Sequence, residues 1–224
     1  MTEKDKLSRR KLNIYFTLGV VVLAVLAVVG VIHFKSVVPE PSGNDVWGHL
    51  YKSEYLYKAL KRGQIYPLYD ETWYNGIQLY RYWPPLSYYI TAVLMCFTGE
   101  NVINAYYLLF GVYIFFGGLA FLLIGRRIGR PVFGTSLAVL WFFMPENARM
   151  YVDEGNMPRM VVSFLLPYLI YFIWVYLREE RRWALAGILI FTMLITVTHI
   201  MMIAMIGIGT FLFLLFDHHR KMGI

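Results

Sequence analysis

Residues 13–34, NIYFTLGVVVLAVLAVVGVIHF, contain no Asp, Glu, Lys or Arg. About 20 predominantly apolar residues suffice to cross a bilayer core as a helix, so this run is long enough to span. It is also too long for the core of a typical signal peptide, and no small-residue cleavage site follows it. A permanent first transmembrane helix is therefore expected, and the rest of the chain has to be read as a membrane protein.

The composition agrees: 58% of the 224 residues are hydrophobic and 16% are charged, against about a quarter charged in a typical soluble domain. A formal net charge of +7 raises the question of nucleic acid. The positions answer it, because the basic residues gather at 6–11, 126–130, 178–182 and 218–221, on the flanks of apolar runs. Positive charge concentrates in cytoplasmic loops, so these clusters report topology and no nucleic-acid partner is expected. The single cysteine, Cys96, excludes an internal disulfide.

If all four clusters are cytoplasmic, the chain crosses an even number of times between them. The expected fold is an all-α polytopic membrane protein with about six transmembrane helices and interfacial helices in its first outer loop. The layout is a basic cytoplasmic tail (1–12), a first span (13–34), an outer loop (35–100), five further spans (101–217) and a cytoplasmic tail (218–224), with both termini inside. Residues 86–99, LSYYITAVLMCFTG, are shorter than a full span; crossing there would put 126–130 outside. They are expected to lie in or re-enter the outer interface, the alternative being a short, tilted span. Residues 183–216 form one uncharged run, far longer than one span. A tight turn near Thr198 and His199 at the outer face resolves it. Gly117, Gly118, Gly207 and Gly209 fall inside spans, where small residues let helices approach closely.

The outer loop is rich in Tyr, Trp and Pro, as segments lying at a bilayer interface are. Residues 44–63, NDVWGHLYKSEYLYKALKRG, read as an amphipathic helix with Asn44 or Asp45 as N-cap and Gly63 as its stop. Pro67, Asn75-Gly76 and Pro84-Pro85 break 64–85 into an irregular arm. On the helix, Asp45, His49 and Lys52 share one face, in the first turns, where the helix dipole favours an anion. Val46, Leu50 and Tyr57 make the neighbouring apolar stripe. Asp45 is then either a cap alone or a functional carboxylate. A second outer loop, 145–160, brings Glu146, Arg149, Asp153, Glu154 and Arg159 to the same side. These are either mutual ion pairs at the rim or part of a site.

Several ordered segments carry a resemblance: an acid after the first span, HLY at 49–51, ALKRGQIYP at 59–67, WYNGIQLYRYWPPLSYYI at 73–90, GRRIGR at 125–130 and PENAR at 145–149. Their order and spacing over most of 40–200 resemble membrane glycosyltransferases of the GT-C class. Within it, they are most similar to bacterial and archaeal membrane proteins labelled 6-pyruvoyl-tetrahydropterin-synthase-related, although no pterin chemistry is evident. The resemblance implies a sugar transferred from a polyprenyl-phosphate donor to an acceptor at the outer face of a prokaryotic cytoplasmic membrane, in glycan or cell-envelope synthesis. It implies Asp45 as catalytic base or acceptor-orienting group. His49, Lys52, Arg149, Arg159 and His199 are candidates for substrate or lipid phosphate, and Asp153 and Glu154 for a divalent cation, Mg²⁺ or Mn²⁺. Such proteins usually continue through more spans, so the resemblance covers an N-terminal half, and a second chain or a missing C-terminal half is expected as partner. The other reading is a non-catalytic membrane scaffold or subunit for lipid-linked glycans. The spans are nearly free of ionisable groups, which disfavours an ion-coupled transporter.

Overall fold

The apolar run folds as the middle of a longer helix, α1 (Glu3–Val37), so the basic segment expected as a tail is helical and continuous with the span. A computed structural model describes residues 3–222, except for the side chains of 3–7, 148 and 217–222. Residues 1–2 and 223–224, the outermost ends of the two expected tails, lie outside the described residues. In chain order the remaining helices are α2 (Val46–Lys61), α3 (Leu79–Tyr82), α4 (Leu86–Met95), α5 (Val102–Arg127), α6 (Pro131–Phe142), α7 (Pro145–Arg149), α8 (Met157–Glu179), α9 (Ala184–Thr196) and α10 (Ile200–Met222). Among the described residues no strand forms; one isolated antiparallel bridge joins Asp70 to Ile77.

Among the described residues, three helices are long and apolar enough to cross a membrane: α1 from Ser8, α5 and α8. The other expected spans are apolar but shorter, and local chemistry explains why. Helix α6 stops before Pro145, which has no amide to continue the ladder; α7 then leads into a π-helical turn at Met150–Glu154. The uncharged run 183–216 breaks at Val197–His199 into α9 and α10, where the expected turn falls. Helix α4, with 10 residues, is only ~15 Å long.

Side-chain contacts fix the direction of each helix. At one end of the bundle the Lys35 ammonium donates to Asn104 Oδ1 at 2.9 Å and Tyr107 Oη donates to the Val38 carbonyl at 2.5 Å. At the other, Arg126 donates to Asn13 Oδ1 at 3.0 Å, and Arg127 forms a two-pronged pair with Glu179 at 2.6 and 2.5 Å. These contacts set α5 against α1 and α8 alongside α5. Gly118 by Ala138 and Gly125 by Gly134 turn α6 back along α5. Tyr168 on Phe191 and Phe172 on Trp183 turn α9 back along α8, and α10 lies beside α8, so the six alternate in direction.

The core is aromatic. Phe34, Tyr106, Phe110, Tyr113 and Tyr151 are buried together, with Phe110 and Tyr151 edge to face at 4.6 Å. Lipid is as apolar as these rings, so close packing and ring geometry hold helices together in a membrane, at ~0.5–1.5 kcal/mol per aromatic pair. Small residues assist where helices touch. A Cβ on Gly118 would lie 2.6 Å from Leu23, and one on Gly125 2.7 Å from the Gly134 Cα. Gly207 and Gly209 do not act this way, since a Cβ on either would meet no neighbouring helix within 4 Å. The outward face of α1 bears Val25, Val28, Val29 and Ile32, all more than half exposed; these apolar side chains meet lipid.

Helix α2 lies across the bundle end, with Val46, Leu50 and Tyr57 buried against neighbouring helices. The arm that follows has almost no secondary structure, and tyrosine hydroxyls satisfy its carbonyls. Tyr55 donates to Tyr69 O at 2.7 Å, Tyr66 to Tyr80 O at 3.0 Å and Tyr89 to Ile65 O at 2.5 Å. The arm is tied to the last helix pair where the Leu86 amide donates to the Val197 carbonyl at 3.0 Å.

Candidate functional site

The first turns of α2 face a cavity of about 480 Å³. Asp45, His49 and Lys52 line it, with Trp73, Tyr82 and Trp83 of the arm, Asn156 and Pro158 at the start of α8, and Thr198 and His199 from the α9–α10 turn. Four of the residues singled out in the sequence thus share one space: Asp45, His49, Lys52 and His199.

Asp45 occupies the N-cap position of α2, but its side chain does not cap. Its backbone is near-helical (φ −106°, ψ −12°) rather than in the extended region usual for a cap. Its amide donates to the Glu154 carbonyl at 3.0 Å. The carboxylate is exposed and reaches Asn156 Nδ2 at 3.5 Å. Of the two expected caps, Asn44 or Asp45, Asp45 thus holds the position without the side-chain bond; across the cavity Asn156 does cap α8, its Oδ1 accepting from the Arg159 amide at 3.1 Å.

Two glycines permit this docking. Gly43 sits at φ +120° and Gly155 at φ +62°, both in the left-handed region. A Cβ on Gly43 would lie 2.5 Å from the Gly155 nitrogen, and one on Gly155 2.5 Å from Val46 Cβ. Chain crossings this close need residues without a Cβ.

Lys52 is the unusual member. It is 4% exposed and its ammonium lies 4.2 Å from the Trp83 ring centroid and 4.6 Å from that of Trp73. Its one described hydrogen bond, to Gly48 O, is long at 3.4 Å. Burial lowers its pKa to about 8, against a smaller opposing pull from Asp45. Ring faces stabilise a cation without using its N–H donors, so donors remain for an anion in the cavity. His49 is buried, with Nδ1 3.0 Å from the Tyr88 hydroxyl. Burial first, and then the Lys52 charge, hold its pKa down at about 3, so its ring is neutral at physiological pH.

Trp73 owes its place to Asp70. That carboxylate accepts from Tyr51 Oη at 2.6 Å, Thr72 Oγ1 at 2.7 Å and the Thr72 amide at 2.9 Å, and Tyr51 packs edge-on against Trp73 at 4.7 Å. These hydrogen bonds outweigh burial and keep the Asp70 pKa below its ordinary value. Trp73, Trp83, Tyr88 and Asn156 are site residues that the sequence reading missed.

The second loop does not join the cavity through its charges. Arg159 pairs with Glu154 and, at 2.8 Å, with Glu146; Arg149 stands 3.6 Å from Glu154 and 3.9 Å from Glu146. The ion-pair alternative describes this loop, and neither guanidinium lines the cavity. Both Glu154 oxygens face guanidinium groups. Among the described residues no three His, Cys, Asp or Glu side chains gather around a common point. Of the two carboxylates expected to hold a divalent ion, Glu154 is thus engaged by Arg149 and Arg159.

A family model described as 6-pyruvoyl-tetrahydropterin synthase related domain, membrane protein, matches residues 80–222, more than half of the chain. The match includes Trp83, Tyr88, Asn156 and His199 and begins after Asp45, His49 and Lys52. No curated protein and no solved structure matches the chain significantly.

Proposed function

From the premise that the chain belongs to the 6-pyruvoyl-tetrahydropterin synthase related family of membrane proteins, we propose that its cavity transfers a sugar from a polyprenyl-phosphate donor to an acceptor hydroxyl, in the manner of GT-C glycosyltransferases. One observation carries the reading: an exposed carboxylate and an aromatic-caged ammonium, two turns apart on α2, open on the same cavity at the end of a bundle of apolar helices.

The chemistry needs those two charges. The acceptor oxygen bonds to the anomeric carbon as the bond from that carbon to the phosphate oxygen breaks. The electron pair leaves with the phosphate, and the acceptor proton passes to Asp45, which orients the hydroxyl beforehand. Lys52 faces the growing charge on the leaving oxygen. It takes the phosphate role expected of Arg149 and Arg159, whose guanidinium groups are held by Glu146 and Glu154. His199 supplies a further polar contact on the opposite wall. Under this reading all six alternating helices cross, the four basic clusters face the cytoplasm of a prokaryote, and the cavity opens outside.

Photo-crosslinking in membranes with a diazirine-bearing polyprenyl phosphate tests the reading. Label is expected on peptides carrying Lys52, Trp83 or His199; label confined to the opposite end of the bundle rules it out. The Lys52 pKa gives a second check. A folded-state pKa below the unfolded value means that Lys52 loses its proton first in the folded protein as pH rises. Affinity for a polyprenyl phosphodiester, whose own charge is constant, should hold between pH 6 and 7 and fall as pH rises past about 8. His49 contributes nothing to this profile, because it is neutral throughout. A Lys52→Met variant should be weaker and flat over the same range.

A further inference from the structure

The end of the bundle opposite the Asp45 cavity carries a second cleft, of about 470 Å³, which the transfer reaction does not use. Ser8, Lys11, Leu12 and Tyr15 of α1 form one wall. Gly129, Arg130 and the first turn of α6, Pro131 to Phe133, form the other. Two of the basic clusters, distant in sequence, thus converge on one cleft.

Their cations are not equivalent. Arg126 is taken up by Asn13 and by the Phe16 ring at 4.7 Å, and Arg127 by Glu179. Lys11 and Arg130 line the cleft, and among the described residues no carboxylate does. The first turn of α6, in which Val132 and Phe133 but not Pro131 carry an amide N–H, lies on the same wall, at the positive end of a 12-residue helix. Immediately along both helices the surface turns apolar: Tyr15, Val132 and Phe133 are 48, 59 and 51% exposed. Two cations and a hydroxyl above a lipid-facing apolar floor match a phosphodiester headgroup with its first acyl carbons. A free anion would have no use for the floor.

We propose that this cleft binds the headgroup of an anionic phospholipid, with Lys11 and Arg130 on its phosphate and Tyr15 and Phe133 against its chains. A basic cluster at a helix end also attracts anionic membranes without any built site, so the test has to separate the two. The full chain in neutral detergent is titrated with phosphatidylglycerol or phosphatidylcholine of matched chains, and bound lipid is counted by native mass spectrometry. Phosphatidylglycerol should be preferred, and Lys11→Ala or Arg130→Ala should each lower its binding about fivefold while leaving phosphatidylcholine unchanged. The pair Arg9→Ala and Arg10→Ala, on the same helix but not lining the cleft, should keep the preference. An equal loss in that pair, no preference in the parent chain, or displacement of the lipid by millimolar inorganic phosphate would each overturn the proposal. If the alanine variants do not accumulate, Lys11→Gln is measured against the same criteria.

Discussion

Asp45→Asn is expected to lower sugar transfer in membranes by about 10²–10⁴-fold, the range lost with a positioned proton acceptor. The change keeps the side chain's shape and its reach to Asn156. It also leaves the fold's own use of residue 45 in place, since that use is through the backbone: the amide bonds Glu154 O and the carbonyl accepts from the His49 amide at 3.1 Å. Membrane insertion, thermal stability and phosphate-probe binding should therefore match the parent chain while turnover is lost. Undiminished transfer in the variant would remove Asp45 from the mechanism. A parallel loss of stability would recast it as a structural residue.

Gly155→Ala is expected to have the largest effect on stability, and through stability on the site. The residue needs φ +62°, which costs a non-glycine residue ~1–2 kcal/mol. The added methyl would meet Val46 Cβ at 2.5 Å, a packed neighbour at 0% exposure with no flexible end to yield. Together these should cost about 3 kcal/mol or more, in the range of strained backbone combined with overpacking. The first thing lost is the pair of bonds from the Asn44 and Asp45 amides to the Asp153 and Glu154 carbonyls. Limited proteolysis should show new cleavage within residues 38–45 and 150–156, with α1, α5 and α8 still protected. Gly43→Ala, built against the same crossing, should reproduce the pattern. A variant as stable and as resistant as the parent would show that the two loops are not held this way.

Much of the helical layout was legible because periodicity and charge are local signals. The α2 helix lies within the stretch bounded by Asn44 and Gly63, and the uncharged run 183–216 turns where Thr198 and His199 suggested. Asp45, His49 and Lys52 share a face because they are spaced by four and three residues, and that spacing survives folding. The aromatic cage was not legible. Trp73 and Trp83 reach Lys52 from an irregular arm whose path depends on tyrosine hydroxyls and on Asp70, none of which leaves a periodic trace. The second loop was ambiguous for another reason. Composition shows acids and bases together, but only the folded loop shows that Arg149 and Arg159 face Glu146 and Glu154 rather than the cavity. The N-cap position of α2 at Asp45 was legible, but not that its carboxylate would leave the helix amides uncapped, because that follows from the docking of its backbone on Glu154 at the Gly43–Gly155 crossing.

The hydrogen bond from the Leu86 amide to the Val197 carbonyl makes the helix pair α9–α10 more than a wall. Pro84 and Trp83 stand just before Leu86, and Thr198 and His199 just after Val197, so both sides of the cavity mouth hang from this one joint. A shift of the pair moves both rims together, and with them the Trp83 ring that steadies Lys52. The mouth of the cavity is thereby one piece: a substitution at the α9–α10 turn is felt at Lys52 from across the cavity, through the joint and the Trp83 ring, without touching either residue.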